Sequence, residues 1–301
     1  MGAPKDHDEV ELFLKNMFND KNIITVKSNL LRKYIASKII NGRKTEAKES
    51  YDEIGGASPL IKHTETFLEN VKKEFPEFEV INIMRYTPPY ALSAAKWLKA
   101  KGVEDIIVIP LYPHYSTTTV KSSVDDFYEA LSEAKYSPNL KIHSRFYKNK
   151  KYNQAIIEQI KSALENKDTK EYDLIFSAHS LPVKIIENGD TYQKEIIENV
   201  EILSHMLEEQ NIEFKNLHLA YQSKVGPQSW IEPSLDNKLK SIINKKVIIY
   251  PISFILDNSE TEFELDIEYR EIAQNLGHTE YIVVKCLNES KLFIEAIKEL
   301  T

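Results

Sequence analysis

Near the carboxyl end of the chain, Asp257, Glu260, Glu264, Glu268 and Glu271 recur at nearly helical spacing. At about 100° per residue they fall within an arc of about 80° on one helix face. Like charges four residues apart repel, so such a stripe is an electrostatic liability. It reads either as a solvated acidic face beside an apolar Leu265, Ile272 and Leu276 face, or as a face that holds or relays a hard cation. Crowding should also raise the pKa of one carboxylate, as a proton acceptor requires. The other candidate is His179, in Ser177-Ala178-His179-Ser180-Leu181-Pro182. It follows an apolar run, and in open parallel sheets ligands gather beyond the carboxyl ends of strands. His179 reads as a capping or core histidine, or as a ligand and proton acceptor of near-neutral pKa. Paired with Glu260 it would offer imidazole and carboxylate, a donor set suited to Fe(II). No thiolate is near, so the site should be weak and open, fitting a metal in transit better than a structural one.

These residues need strands and helices to position them. Short apolar runs at 78–84, 105–109, 140–146, 172–176, 217–221, 247–250 and 281–284 read as strands buried on both faces. Amphipathic runs lie between them. Ser58-Pro59 opens one, with Leu60, Thr64, Phe67, Leu68 and Val71 on its face. Ile196, Ile197, Val200, Leu203 and Leu207 mark another, and 289–300 closes the chain. The alternation predicts an α/β fold of parallel sheets wrapped by helices, divided into two domains near 142–150. The segment 12–40 carries many apolar residues. It reads as two amphipathic helices packed on the first domain, or as an apolar lip over a cleft or against a membrane surface.

Composition excludes several classes. The 301 residues carry a net charge of −7, with no basic footprint for nucleic acid. The single cysteine, Cys286, cannot build a disulfide framework or ligate an iron–sulfur cluster alone, and it fits a reducing compartment. No run approaches the roughly 20 apolar residues of a membrane span, and the start shows no secretory signal. No dinucleotide or P-loop fingerprint follows a strand. The expectation is a cytoplasmic protein.

Taken in order, the motifs resemble those of ferrochelatases, of the bacterial type without an iron–sulfur cluster. They are Ile54-Gly55-Gly56 with Ser58-Pro59-Leu60; Met84-Arg85-Tyr86; Pro110-Leu111-Tyr112-Pro113-His114-Tyr115-Ser116; Phe176 through Pro182 with Gly189-Asp190; Tyr221-Gln222-Ser223-Lys224-Val225-Gly226-Pro227 with Trp230; and Asp257 through Tyr269. The resemblance spans nearly the whole chain. It implies two similar Rossmann-like, chelatase-type domains, 1–145 and 146–288, with a porphyrin cleft between them and the closing helix 289–300 packed back on the first. It implies insertion of Fe(II) into protoporphyrin IX, the last step of haem synthesis, with release of two protons. No cofactor is implied beyond the substrate ion. His179 and Glu260 would be the metal-site and proton-handling pair, with Asp257, Glu264 and Asp266 as an acidic conduit beside them. Arg85, Tyr115 and Ser116 would line the cleft, Arg85 near a propionate or the lip, and Trp230 would support a loop over the pocket. Read for themselves, Trp230 also suits core packing, and Arg85 an inter-domain salt bridge.

The chain departs from the family pattern in four places. It begins at Met1-Gly2-Ala3-Pro4, without the usual first strand. Asn258 stands where relatives usually carry His, Lys121 where Gly is common, and Thr191 where Pro is usual. Two other readings share the same residues. One is a non-catalytic porphyrin or haem carrier, for which retention of His179 and Glu260 would be unnecessary. The other is a coproporphyrin ferrochelatase, differing in propionate contacts. Partners implied are protoporphyrin IX and Fe(II), no nucleic acid, and a peripheral membrane contact permitted by 12–40.

Overall fold

The computed structural model describes residues 1–165 and 167–301. The chain divides into two compact units, residues 1–111 with 116–144, and residues 112–115 with 145–301.

In the first unit, α1 (His7–Phe18) and α2 (Asn29–Glu53) pack together around Val10, Leu14, Phe18, Ala36, Ile40 and Tyr51. Asp6 caps α1 by accepting from the Asp8 and Glu9 amides. Much of the apolar content of 12–40 therefore packs in or against this core, with Phe13, Met17, Ile23 and Ile24 half-buried against it. Leu30, Leu31 and Tyr34 remain exposed, Leu30 by 82%. Helices α3 (Leu60–Glu74) and α4 (Ala91–Ala100) follow, then β1 (Asp105–Val108). A π-helical turn, Thr117–Lys121, leads into α5 (Ser122–Glu133), and β2 (Asn139–Ile142) pairs in parallel with β1. Ala91, Ala95, Phe127, Ala130 and Leu131 cement α4 to α5. The run 78–84 forms no strand, contrary to its pattern; only Met84 bridges, to Tyr90. A strand needs a lateral partner for its amides, and among the described residues no strand flanks this run.

The second unit holds α6 (Lys150–Leu164), β3 (Asp173–His179), α7 (Val183–Glu187), α8 (Tyr192–Glu209) and β4 (Asn216–Gln222). Then come α9 (Leu235–Ser241), β5 (Lys246–Pro251), a π-helix (Glu260–Glu268), α10 (Tyr269–Asn275), β6 (Glu280–Val283) and α11 (Lys291–Lys298). Its sheet is parallel throughout, in the order β4-β3-β5-β6. The two central strands are apolar almost without interruption because helices cover both faces. Ile175, Val247 and Ile249 meet Leu235, Leu239, Leu265 and Ala273.

Both sheets are parallel and flanked by helices, as the alternation predicts, though the first is only two-stranded. The closing helix corrects an expectation. Rather than returning to the first domain, α11 packs on α6 of its own unit. Phe293 sits fully buried with ring centroids 5.9 Å from Phe146 and 6.2 Å from Tyr152. Lys151 adds bridges of 3.1 Å to Glu295 and 3.4 Å to Glu299. The aromatic pocket under α6 is an apolar surface within its own unit that the strongly amphipathic end of the chain can cover.

Candidate active site

His179 is the last residue of β3, paired in register with Gln222 of β4, at the carboxyl end of the sheet. Its Nδ1 lies 2.6 Å from the Ser180 carbonyl oxygen. A carbonyl only accepts, so Nδ1 carries the hydrogen and Nε2 is the nitrogen left to face the site. Nε2 meets Glu260 Oε1 at 3.2 Å, with about a third of each side chain exposed.

Glu260 opens the π-helix, and Asn258 fixes that start. The Asn258 Oδ1 accepts from the Glu260 amide at 2.8 Å, and its Nδ2 donates to the Leu256 carbonyl at 3.0 Å. Asn258 is thus a buried cap. One turn on, Glu264 is gripped from the end of β4. It accepts from the Ser223 amide at 2.7 Å, the Gln222 Nε2 at 3.1 Å and the Ser223 hydroxyl. Ser223 adopts φ +65°, a left-handed conformation that costs a non-glycine residue on the order of 1 kcal/mol. Gln222 is itself fully buried and accepts from Ser177 Oγ at 2.7 Å.

The acidic stripe divides in the structure. Glu260 and Glu264 gather beside His179, while Glu268 and Glu271 are solvated. Asp257 and Asp266, expected in the conduit, do not join them. Asp257 is buried and committed to the core: Asn288 Nδ2 donates to it at 2.7 Å, Thr261 Oγ1 at 3.0 Å and the Cys286 amide at 3.2 Å. Asp257 precedes the helix, so helical spacing does not apply to it. Asp266 pairs instead with Arg270, whose Nη1 donates to the Tyr281 carbonyl at 2.6 Å.

The electrostatics reverse one expectation. Burial disfavours a charged imidazole, but the Glu260 carboxylate outweighs it, with Glu264 adding to the pull, and His179 is pushed up to about 9. With that pKa the imidazole holds its proton near neutrality. Burial, reinforced by repulsion from Glu260, pushes Glu264 up to about 7. Glu264 is the group poised to gain and lose a proton.

The remaining candidates divide. Tyr115 belongs to the second unit; its amide donates to Glu195 at 2.8 Å, and the Arg145 guanidinium lies 5.1 Å from its ring. Trp230 bridges to Pro182, and Ile231 N donates to the Leu181 carbonyl at 3.0 Å, so the Trp230 segment braces the loop after His179. In the first unit, Ser116 is buried and caps the π-helical turn, accepting from the Thr118 amide at 3.1 Å. Arg85 pairs at 3.2 Å with both Asp20 and Asp126, and its Nε donates to Ser122 at 3.0 Å. These partners all lie in its own unit.

Among the described residues no group of three or more His, Cys, Asp or Glu side chains is arranged to hold a metal. An open surface depression of about 930 Å³ lies elsewhere, its lining including Lys170, Asp173, Lys215, His218, Lys246 and Thr279. Asp173 begins the strand that His179 ends, about 20 Å away at the usual rise. Sequence reasoning missed Gln222 and Ser223 as partners of Glu264. Their place in a motif was legible; their pairing across 42 and 41 positions was not.

The fold is that of a chelatase. It is similar to the sirohydrochlorin chelatase of Bacillus subtilis subspecies spizizenii in complex with cobalt, at TM-score 0.57 and 12% identity, covering 80% of this chain and 86% of that one. A sequence model of the ferrochelatase family matches residues 1–301. The ferrochelatase of a Nitratiruptor species is 52% identical over 300 residues, covering 100% of this chain and 96% of that protein. That of Sulfurimonas denitrificans is 50% identical over 301 residues, covering 100% and 95%. The chain belongs to the ferrochelatase family, lyases that insert a metal ion into a porphyrin in haem biosynthesis.

Proposed function

We propose that this enzyme inserts Fe(II) into protoporphyrin IX, giving protohaem and two protons. The observation that carries the reading is the His179 Nε2 to Glu260 contact of 3.2 Å at the end of β3, with Glu264 behind it. Fe(II) is a substrate here, and it would take the place of the proton between Nε2 and the carboxylate. An imidazole and a carboxylate hold such an ion loosely enough to give it up. The two pyrrole N–H protons must leave as the iron–nitrogen bonds form. Glu264, ionised in about half of molecules near pH 7, accepts one and passes it to solvent before the next. Bending the ring so that a nitrogen lone pair points out of plane draws on binding energy at the ring periphery.

Protoporphyrin is favoured over coproporphyrin because Arg85, the cation expected to meet a propionate, is already opposed by Asp20 and Asp126. A ring with two propionates asks less of the protein's free cations than one with four. No further cofactor is proposed; a lone cysteine cannot supply the four thiolates of a cluster. A cytoplasmic location is part of the proposal. No helix among the described residues is long and apolar enough to cross a membrane. The exposed Leu30, Leu31 and Tyr34, with Lys27, Lys33 and Lys38 near them in sequence, suit a peripheral contact with a membrane surface.

The test is anaerobic Fe(II) insertion followed by porphyrin absorbance, with protoporphyrin and coproporphyrin compared. Turnover with protoporphyrin, lost in His179→Ala and reduced at least about 100-fold in Glu260→Gln, is expected. Tight porphyrin binding without insertion would replace the enzyme reading by a carrier.

A further inference from the structure

The β3 ladder to β5 ends at Ser177 and Pro251, two residues short of His179. Side chains take over where that strand diverges. The His179 amide donates to Ser253 Oγ at 3.0 Å. The Tyr192 hydroxyl donates to the His179 carbonyl at 2.9 Å. The two hydroxyls lie 2.6 Å apart. One proton assignment satisfies every contact: His179 N–H to Ser253, Ser253 O–H to Tyr192, Tyr192 O–H to the His179 carbonyl. The ring of bonds opens and closes on the peptide groups of one residue. The carbonyl held by Tyr192 belongs to the peptide joining His179 to Ser180. That peptide leads into Ser180, whose own carbonyl, one peptide further on, meets Nδ1, so holding it narrows where Nε2 points. Tyr192 is well placed to stay rigid. It is the first residue of α8, nearly buried, with its ring edge-on to His114 at 6.1 Å.

We infer that Tyr192 and Ser253 are positioning residues that aim the His179 imidazole at Glu260 and at the incoming metal. This rests on the reading of His179 as the residue that meets the metal. Neither hydroxyl touches the reacting atoms; both act through the backbone of His179. Groups that orient a metal-binding histidine from behind are commonly worth roughly ten- to a hundredfold in affinity or activity.

The test uses the full chain and four variants, Tyr192→Phe, Ser253→Ala, Ser253→Thr and the Tyr192→Phe/Ser253→Ala double. Separate KM values for Fe(II) and for porphyrin are measured anaerobically, with His179→Ala in parallel. Each single loss of a hydroxyl should raise the metal KM about tenfold and leave the porphyrin KM within twofold. Because either change opens the ring, the double variant should be no worse than the poorer single one. Ser253→Thr, which keeps the hydroxyl, should return the metal KM to within threefold of the parent. A metal KM within twofold of the parent in both single variants overturns the inference. So does a parallel rise in both KM values, or a double variant whose losses multiply. If His179→Ala turns over like the parent, the reading of the site itself fails. If His179→Ala is inactive while Tyr192→Phe and Ser253→Ala match the parent, only the positioning role fails.

Discussion

Replacing Glu264 by Gln separates the proton acceptor from the rest of the site. The amide keeps the volume of the carboxyl and can still accept from Ser223 N or Gln222 Nε2, so the fold should survive. What disappears is a basic group. With its pKa at about 7, Glu264 is ionised in about half of molecules at pH 7 and in about one in eleven at pH 6. If its carboxylate accepts the pyrrole protons, kcat of the parent should rise about tenfold per pH unit below 7 and level off above 8. Loss of a positioned base commonly costs about 10²- to 10⁴-fold. In Glu264→Gln, kcat at pH 8 should fall by at least about 100-fold, and the acid limb near pH 7 should vanish. The variant should also lower the pKa of His179, since Glu264 helps hold that imidazole up. The assay is anaerobic insertion at saturating porphyrin between pH 5.5 and 9, each profile fitted independently. An acid limb that persists near pH 7 in Glu264→Gln would refute the assignment, because another group would then be the acceptor.

Three further outcomes are expected. His114 is buried and neutral: burial holds its pKa down to about 3, although Asn199 Oδ1 at 2.9 Å favours the charged form. The unfolded chain takes up a proton below about 6.5 that the native state refuses, so stability should fall by about 1.4 kcal/mol per pH unit as pH drops from 6.5 toward 3. Urea unfolding of His114→Phe should lack that component of the acid slope; an unchanged slope counts against it. Asp20→Asn leaves Arg85 facing only Asp126 and weakens acceptors for Tyr86 and Ser122, so thermal unfolding should show a loss of about 2–3 kcal/mol. Co-sedimentation with anionic liposomes should weaken in a Leu30→Ser/Tyr34→Ser variant, and no binding by the parent would sink the membrane contact.

Much of this protein was legible in one dimension because the relevant physics is local. Strands buried on both faces must be apolar throughout, and β3 and β5 announced themselves so. His179 lay just past such a run, where parallel sheets present ligands. A single cysteine is too few for a disulfide or for the four thiolates of a cluster within one chain, a count that needs no structure. The run 78–84 misled because a β-rich run forms a strand only with a neighbour to accept its hydrogen bonds, and that neighbour is a tertiary fact. Spacing likewise grouped five carboxylates, and resemblance added a sixth, yet partners sort them. Asn288 draws Asp257 into the core, Arg270 takes Asp266, and Ser223 and Gln222 bring Glu264 behind Glu260.

The chemical state of the site was still further from view. Residue types alone put His179 near neutrality and made it the acceptor. Its actual charge depends on a carboxylate 3.2 Å away that belongs to a distant element of the chain. The sequence by itself determined the family and the parallel α/β plan, because composition, periodicity and motif order are properties of the chain. Only the tertiary structure decided which carboxylates stand beside the imidazole, how they shift its pKa and which hydroxyls bond to the His179 backbone. Coulomb energies and hydrogen bonds depend on separations of a few ångströms, and no spacing along the chain prescribes those.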